Sequence, residues 1–182
     1  MIIGLTGTLG AGKNTAVEYL VSKGWKHYSG GDIINAEVVR RKLPMNRDSM
    51  SLVANDLRAR HGSGYLIEKS LDQARAVGGD AVIESLHSIG ESNAVRAAGG
   101  LVVAVDADIA LRFERIRRRG SAKDNITFEK FVADNAREAA SSDTANHNLL
   151  ANIEGADFLV TNDGTVEDLL LQIDDILRKV KK

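Results

Sequence analysis

The chain has 182 residues, of which 43% are hydrophobic and 27% are charged, so it is long enough for one sizeable core and short for two. A net charge of -1 excludes the overall positive field with which proteins grip nucleic acids or anionic membranes. The absence of cysteine excludes disulfides and thiolate chemistry and fits a reducing compartment. We expect one domain over residues 1–182, cytoplasmic, without nucleic-acid or membrane partners, as a monomer or weak homodimer.

Short runs rich in Val and Ile alternate with longer segments of helical periodicity. Such runs predict buried parallel strands, and they are Ile2 to Leu5, Ala81 to Ile83, Leu101 to Val105 and Phe158 to Val160, with a weaker run at His27-Tyr28-Ser29. The last helix is predicted from Val166 to Val180, with Thr165 able to cap its start. Strands alternating with helices indicate a doubly wound α/β layer structure, and we expect the first strand in its middle.

Two segments interrupt this alternation. The stretch from Asp32 to about Val77 shows helical spacing and no clear strand, so we predict a helical insertion over about residues 30–77. A second insertion, which we expect to form a lid, is predicted over about residues 119–143, beginning at Arg119-Gly120-Ser121 and resuming helical spacing later. Both would lie beside the sheet as parts of the same domain.

A glycine-rich segment follows the first predicted strand directly and opens a helix. It runs Gly7-Thr8-Leu9-Gly10-Ala11-Gly12-Lys13-Asn14-Thr15, in the context that a P-loop requires. Glycines let backbone N–H groups surround a phosphate, the helix N-terminus adds its positive dipole, and Lys13 reaches the β- and γ-oxygens of ATP. The pattern predicts a three-layer P-loop NTPase with a parallel five-stranded sheet. The ATP-binding residues predicted from this segment are Gly7, Leu9, Gly10, Ala11, Gly12, Lys13, Asn14 and Thr15.

The P-loop and two further segments resemble one group of small kinases. The lysine followed by Asn14 and Thr15, and the turn Tyr28-Ser29-Gly30-Gly31-Asp32-Ile33-Ile34, resemble the adenylate-kinase-like nucleoside monophosphate kinases. The tail from Ala156 to Thr165 is similar instead to the last strand and adenine loop of dephospho-coenzyme A kinases, a sister family of the same fold. The resemblance implies that Asn162 and Gly164 contact ATP.

Arginines near the second insertion match that family's pattern in placement. Arg115 and Arg119 are four residues apart on one helix face, and Arg137 follows in the insertion. The resemblance implies that they hold ATP and the phosphoryl group in transfer, for which a planar guanidinium is suited. Together with Lys13 and Asp32 they are the predicted catalytic residues, the alternative being a solvated basic face.

Two acidic residues at strand ends are further candidates. Glu84 ends the Ala81 run, where a carboxylate could hold Mg²⁺ through water, with Thr15 as the second predicted metal contact. Asp32 could orient or deprotonate an acceptor hydroxyl, bind an acceptor sugar, or cap the helix that begins there.

The acceptor side departs from the family. Where monophosphate kinases place arginines that clamp the acceptor phosphate, this chain has Asn35 and His87-Ser88. Either the acceptor phosphate meets another arginine, or the acceptor has no phosphate at its reacting end. The arginines considered are Arg40, Arg41, Arg47, Arg58 and Arg60. The residues predicted to bind the acceptor are Gly31, Asp32, Arg40, Arg58 and His87.

The function predicted from these segments is ATP-dependent, Mg²⁺-assisted phosphoryl transfer to a small nucleotide-like acceptor. A nucleoside monophosphate is the leading acceptor, and dephospho-coenzyme A is the alternative. A P-loop ATPase or nucleotide-sensing module without an acceptor remains a third interpretation. The two insertions weigh against it, because covering two substrates is what such insertions do.

Overall fold

The protein is described here by a computed structural model that covers residues 1–120, 126–139 and 148–180, without the side chains of Arg47 and of residues 137–139. Its centre is a five-stranded sheet in the order β2-β3-β1-β4-β5, in which every neighbouring pair is parallel. The strands are β1 (Ile2–Gly7), β2 (Lys26–Ser29), β3 (Ala81–Glu84), β4 (Leu101–Asp106) and β5 (Phe158–Thr161). The predicted central position of the first strand and the weaker second strand are both confirmed.

Helices connect and cover these strands throughout the described residues. They are α1 (Lys13–Ser22), α2 (Gly30–Arg40), α3 (Arg47–His61), α4 (Tyr65–Val77), α5 (Ile89–Ala97), α6 (Ile109–Arg119), α7 (Phe128–Ala139), α8 (Leu149–Glu154) and α9 (Val166–Val180). Thr165 starts the last of them as predicted, since its hydroxyl accepts from Asp168 N at 3.2 Å while Asp168 Oδ2 accepts from Thr165 N at 2.9 Å.

The two faces of the sheet carry separate apolar clusters. Ile3 and Leu5 of β1 pack toward α1 and α9, in a cluster that includes Leu20 and Ile173. Ala81 and Ile83 of β3, together with Val102 of β4, pack on the other face against α4 and α5. Because both faces are covered, the strands are apolar runs without polar alternation, as expected for a parallel sheet. The result is the predicted three-layer α/β sandwich.

The helices between β2 and β3 serve two purposes. A third apolar cluster joins α2, α3 and the start of α4 through Val38, Val53, Leu57 and Leu66. The later part of α4 instead packs on the sheet, where Leu71 and Ala74 belong to the cluster of that face. The predicted insertion over residues 30–77 is therefore helical, and α4 belongs partly to the core layers.

Part of the second predicted insertion lies outside the described residues, namely 121–125 and 140–147. The described helix α7 packs on α6 through aromatic rings. The Phe113 ring of α6 contacts Phe128 and Phe131 of α7 at centroid distances of 5.2 and 5.6 Å. Phe131 is only 1% exposed. In the described ranges, the structure has no helix that is long and apolar enough to cross a membrane.

Candidate functional site: a phosphate loop beside a cleft

The phosphate loop requires glycine at particular positions. Gly7 has φ 138°, and a Cβ there would lie 1.9 Å from Val105 O of the neighbouring strand. Gly12 has φ 103° and stands at the N-cap of α1 without a side-chain cap. The first turn of α1 also contains no acidic residue, so its N–H groups and dipole favour an incoming anion.

Lys13 bends back over the loop that precedes it. Its ammonium donates to Gly7 O and to Thr8 O, both at 2.8 Å. The adjacent Thr8 hydroxyl donates to Asp106 Oδ1 at 2.5 Å, which ties the loop to the end of β4. The charge of Lys13 is thus held at the mouth of the loop, where nucleotide phosphates would replace the two carbonyls.

The predicted adenine loop contacts the phosphate loop directly. The Asn162 amide donates to Ala11 O at 2.7 Å, and Asn162 O accepts from Arg115 Nη2 at 2.9 Å. Arg115 Nη1 is buried and has no hydrogen-bond partner in the described part of the chain. Arg115, Asn162 and the loop are therefore brought together, and Gly164 lies two residues further along. The Asn162 side chain is only 7% exposed and braces the loop.

The residues predicted to hold Mg²⁺ have suitable chemistry. Thr15 is half-buried in the first turn of α1, and Glu84 ends β3 beside Leu5 of β1. Glu84 Oε2 is also held by His27 Nε2 at 2.9 Å. No group of three His, Asp or Glu side chains forms a ready metal site within the described ranges. The roles of Thr15 and Glu84 toward Mg²⁺ stay predictions.

A cleft of about 720 Å³ opens beside the phosphate loop. Of the predicted residues, Leu9, Gly31, Arg58, His87 and Arg119 line it, and Asp32 and Arg40 are not in its lining. Its remaining lining comes mainly from α2, α3, α4, α6 and α7, and is apolar except for Gly30 and the polar residues Ser51, Ser85, Glu91, Lys130, Asp134 and Asn135. A volume of this size accommodates a drug-sized or nucleotide-sized ligand.

The predicted cap role of Asp32 is wrong. Ser29 is the N-cap of α2, and its hydroxyl accepts from Gly31 N at 3.0 Å. Asp32 is an exposed residue of the first turn, where a carboxylate interacts favourably with the helix dipole. Its predicted chemical role stays a prediction.

Most arginines considered for the acceptor are engaged at the surface. Arg40 Nε lies 2.5 Å from Glu37, Arg41 contacts Glu37 and Asp56, and Arg60 Nε lies 2.7 Å from Asp56. These contacts lower the pKa of Glu37 to about 2, with the hydrogen bond from Arg40 as the largest cause. Arg58 is the arginine among these whose described side chain lines the cleft, and the side chain of Arg47 lies outside the described residues.

Several residues at the site escape the sequence motifs. Glu91 is 1% exposed at the cleft, and its Oε2 accepts from His87 N and Ser88 N at 2.6 and 3.1 Å. The Ser88-to-Glu91 spacing is that of a capping box, a signal that could have located this turn. Arg112 is buried and donates to Ala107 O and Asn135 Oδ1, at 2.9 and 2.7 Å.

The second-insertion arginines are only partly placed. Arg119 ends α6 and lines the cleft, whereas the side chain of Arg137 in α7 lies outside the described residues. After the polar start, the described part of this segment forms α7, whose Phe131 side chain is buried against α6.

Solved structures share this fold over almost their full length. A shikimate kinase from Bacteroides thetaiotaomicron matches with a TM-score of 0.58 at 13% identity, covering 98% of each chain. A dephospho-CoA kinase from Campylobacter jejuni matches with a TM-score of 0.57 at 16% identity, covering 98% of this chain and 96% of its own. The fold is thus that of P-loop kinases, which bind nucleotides.

Sequence comparisons define the family. A UPF0200 protein of Methanocaldococcus jannaschii is 31% identical over 188 residues, covering 99% of this chain and 90% of the relative. The family model described as an AAA domain matches residues 3–142, which contain the phosphate loop and most of the cleft. The chain therefore belongs to the AAA-domain family of P-loop proteins and is a relative of the UPF0200 proteins.

Proposed function

We propose that the protein transfers the γ-phosphoryl group of ATP to a small nucleotide-like acceptor, with a nucleoside monophosphate as the leading candidate. The observation that carries the proposal is the continuity of the two sites. Leu9 of the phosphate loop lines the cleft, as does Arg119 at the end of α6. A phosphate held by the loop would therefore face a space that fits a second substrate.

The proposed role of each site residue follows from its position. Lys13 exchanges its two carbonyl partners for the β- and γ-oxygens, while the uncapped first turn of α1 receives the phosphates. Arg115 lies on the adenine side through Asn162, and Arg119 and Arg137 are proposed to neutralise the phosphoryl group in transfer. Mg²⁺ would be held by Thr15 and, through a water molecule, by Glu84. It would neutralise negative charge on the phosphate oxygens.

A second candidate acceptor is a hydroxyl, as in dephospho-coenzyme A. The supporting observation concerns the acceptor half of the cleft. Among its described residues from α2 to α5, Arg58 is the arginine in the lining, in place of the two-arginine clamp expected for a monophosphate. Phosphorylation of a hydroxyl calls for a base, and Asp32 would be that base.

The test is an acceptor screen with ATP and Mg²⁺, comparing AMP, CMP, nucleosides and dephospho-coenzyme A by the appearance of phosphorylated product. The Lys13→Met variant serves as the control for contaminating kinases. Product with a monophosphate supports the leading proposal, and product with dephospho-coenzyme A supports the second. ATP hydrolysis without product from any acceptor would favour the ATPase or sensing interpretation instead.

A further inference from the structure

Arg58 is an unusual arginine for a surface helix. Its side chain on α3 is only 10% exposed, yet it lines the cleft. Its Nε is buried without a hydrogen-bond partner in the described part of the chain. A buried guanidinium with an unsatisfied N–H donor destabilises the folded protein. Such a donor is explained where a bound ligand accepts the missing hydrogen bond.

The acidic residue that pairs with Arg58 is Glu91, and their contact is long. Glu91 Oε1 lies 3.7 Å from Arg58 Nη2, beyond hydrogen-bond distance. The other oxygen of Glu91 is occupied by the His87 and Ser88 amides of the β3–α5 turn. Burial, the largest cause, raises the pKa of Glu91, so its negative charge is itself disfavoured there. Arg58 is therefore held by one long ion pair, and its Nε keeps an unsatisfied donor in the described part of the chain, at a residue that lines the cleft.

The apolar surroundings of Arg58 strengthen the hydrogen bonds that its guanidinium can donate to an anion. Apolar side chains from three helices surround the same part of the cleft, among them Ile34, Ala54 and Leu66. Charge-assisted hydrogen bonds gain strength where water is excluded, and a planar guanidinium offers paired donors to phosphate or carboxylate oxygens.

Building on the proposed function, we infer that the acceptor is an anion that binds Arg58 through one phosphate or carboxylate group and lays an apolar body against the helices. A neutral nucleoside or sugar lacks the group that this part of the cleft recognises. Glu91 acts as a positioning residue, since its Oε2 fixes the turn that carries His87, which lines the same cleft.

The experiment measures binding by titration calorimetry without ATP, so that it is independent of turnover. Wild type, Arg58→Met, Arg58→Lys and Arg60→Met are each titrated with AMP, with adenosine and with shikimate. AMP and adenosine differ by the phosphate, and shikimate supplies a carboxylate on a small hydroxylated ring. Arg60 is the matched control, because it lies two residues further along α3, is 66% exposed and is paired with Asp56.

We expect Arg58→Met to weaken binding of the responding anion about ten- to hundredfold, with Arg58→Lys intermediate and Arg60→Met equal to wild type. The anion that responds identifies phosphate or carboxylate as the group. If Arg58→Met does not fold, the comparison of Arg58→Lys with wild type and the shift of the Arg58 Nε–H signal on titration carry the test.

Equal affinity of the anions for wild type and Arg58→Met, or no binding of either anion to wild type, overturns the inference. Either of these results would still be compatible with phosphoryl transfer to a neutral acceptor. Conversely, Arg58-dependent anion binding without any transfer in the acceptor screen would contradict the proposed function alone.

Discussion

The phosphate loop and the cleft of this protein are built in different ways. The phosphate loop is one contiguous segment, and its contacts are made largely by backbone atoms and by Lys13 within seven positions of Gly7. The cleft is lined by side chains from α2, α3, α4, α6 and α7, which are distant in sequence. The first arrangement tolerates little change at a few positions, whereas the second can alter its ligand by single side-chain replacements.

The largest effect is expected where the phosphate loop concentrates its charge. Lys13→Met should lower turnover at least about a hundredfold, because one preorganised charge contact to the phosphates is lost. Thermal unfolding should change little. Lys23→Met, at the other end of α1 and paired with Asp174, is the matched control. Wild-type turnover in Lys13→Met would show that the loop does not act on phosphates.

A backbone site should respond to a single methyl group. Gly7→Ala should cost about 2 kcal/mol of unfolding free energy, since the new Cβ would meet Val105 O at a positive φ. Gly24→Ala, at φ 90° with nothing within 4 Å, should cost only the conformational strain of about 1 kcal/mol. Urea unfolding of both variants measures the difference, and equal costs would mean that the strand contact at Gly7 relaxes easily.

Asp32 separates the two candidate acceptors with little effect on stability. Because Ser29 caps α2, Asp32→Asn should change the unfolding free energy by less than about 1 kcal/mol, the size of a dipole interaction. Turnover should fall about a hundredfold with a hydroxyl acceptor and stay near wild type with a monophosphate. Asp48→Asn, in the first turn of α3, controls for the dipole effect. A large loss of stability in Asp32→Asn alone would contradict this assignment.

The smallest effect concerns pH and the cleft. Burial raises the pKa of Glu91 in the folded protein, so folding favours its protonated form. The resulting stability is complete below the ordinary glutamate pKa and is lost as pH rises through the raised value. Wild type should therefore lose stability relative to Glu91→Gln over that window, as measured by urea unfolding at several pH values. A constant difference across the window would mean that the Glu91 pKa is unshifted.

The same contrast explains which features of the fold and of the candidate site can be predicted from the sequence. The β1–α1 loop and the apolar strands are local patterns, and they predict the central place of the first strand and the residues of the phosphate loop around Lys13. Arg58 and Arg40 look alike in sequence, and only the packing of α3 against the cleft distinguishes them. Capping of α2, the alternative considered for Asp32, is performed by Ser29, because helix boundaries shift by one or two residues when predicted from pattern alone.

Arg112 joins the two regions. Its guanidinium reaches Leu9 O of the phosphate loop at 3.5 Å and Asn135 of α7, and it lies over the Phe131 ring at 5.6 Å. Leu9, Asn135 and Phe131 all border the cleft. Any loop rearrangement caused by nucleotide thus acts on the cleft wall through a shared side chain. Thermodynamic linkage then requires reciprocity: the factor by which ATP alters acceptor affinity must equal the factor by which the acceptor alters ATP affinity.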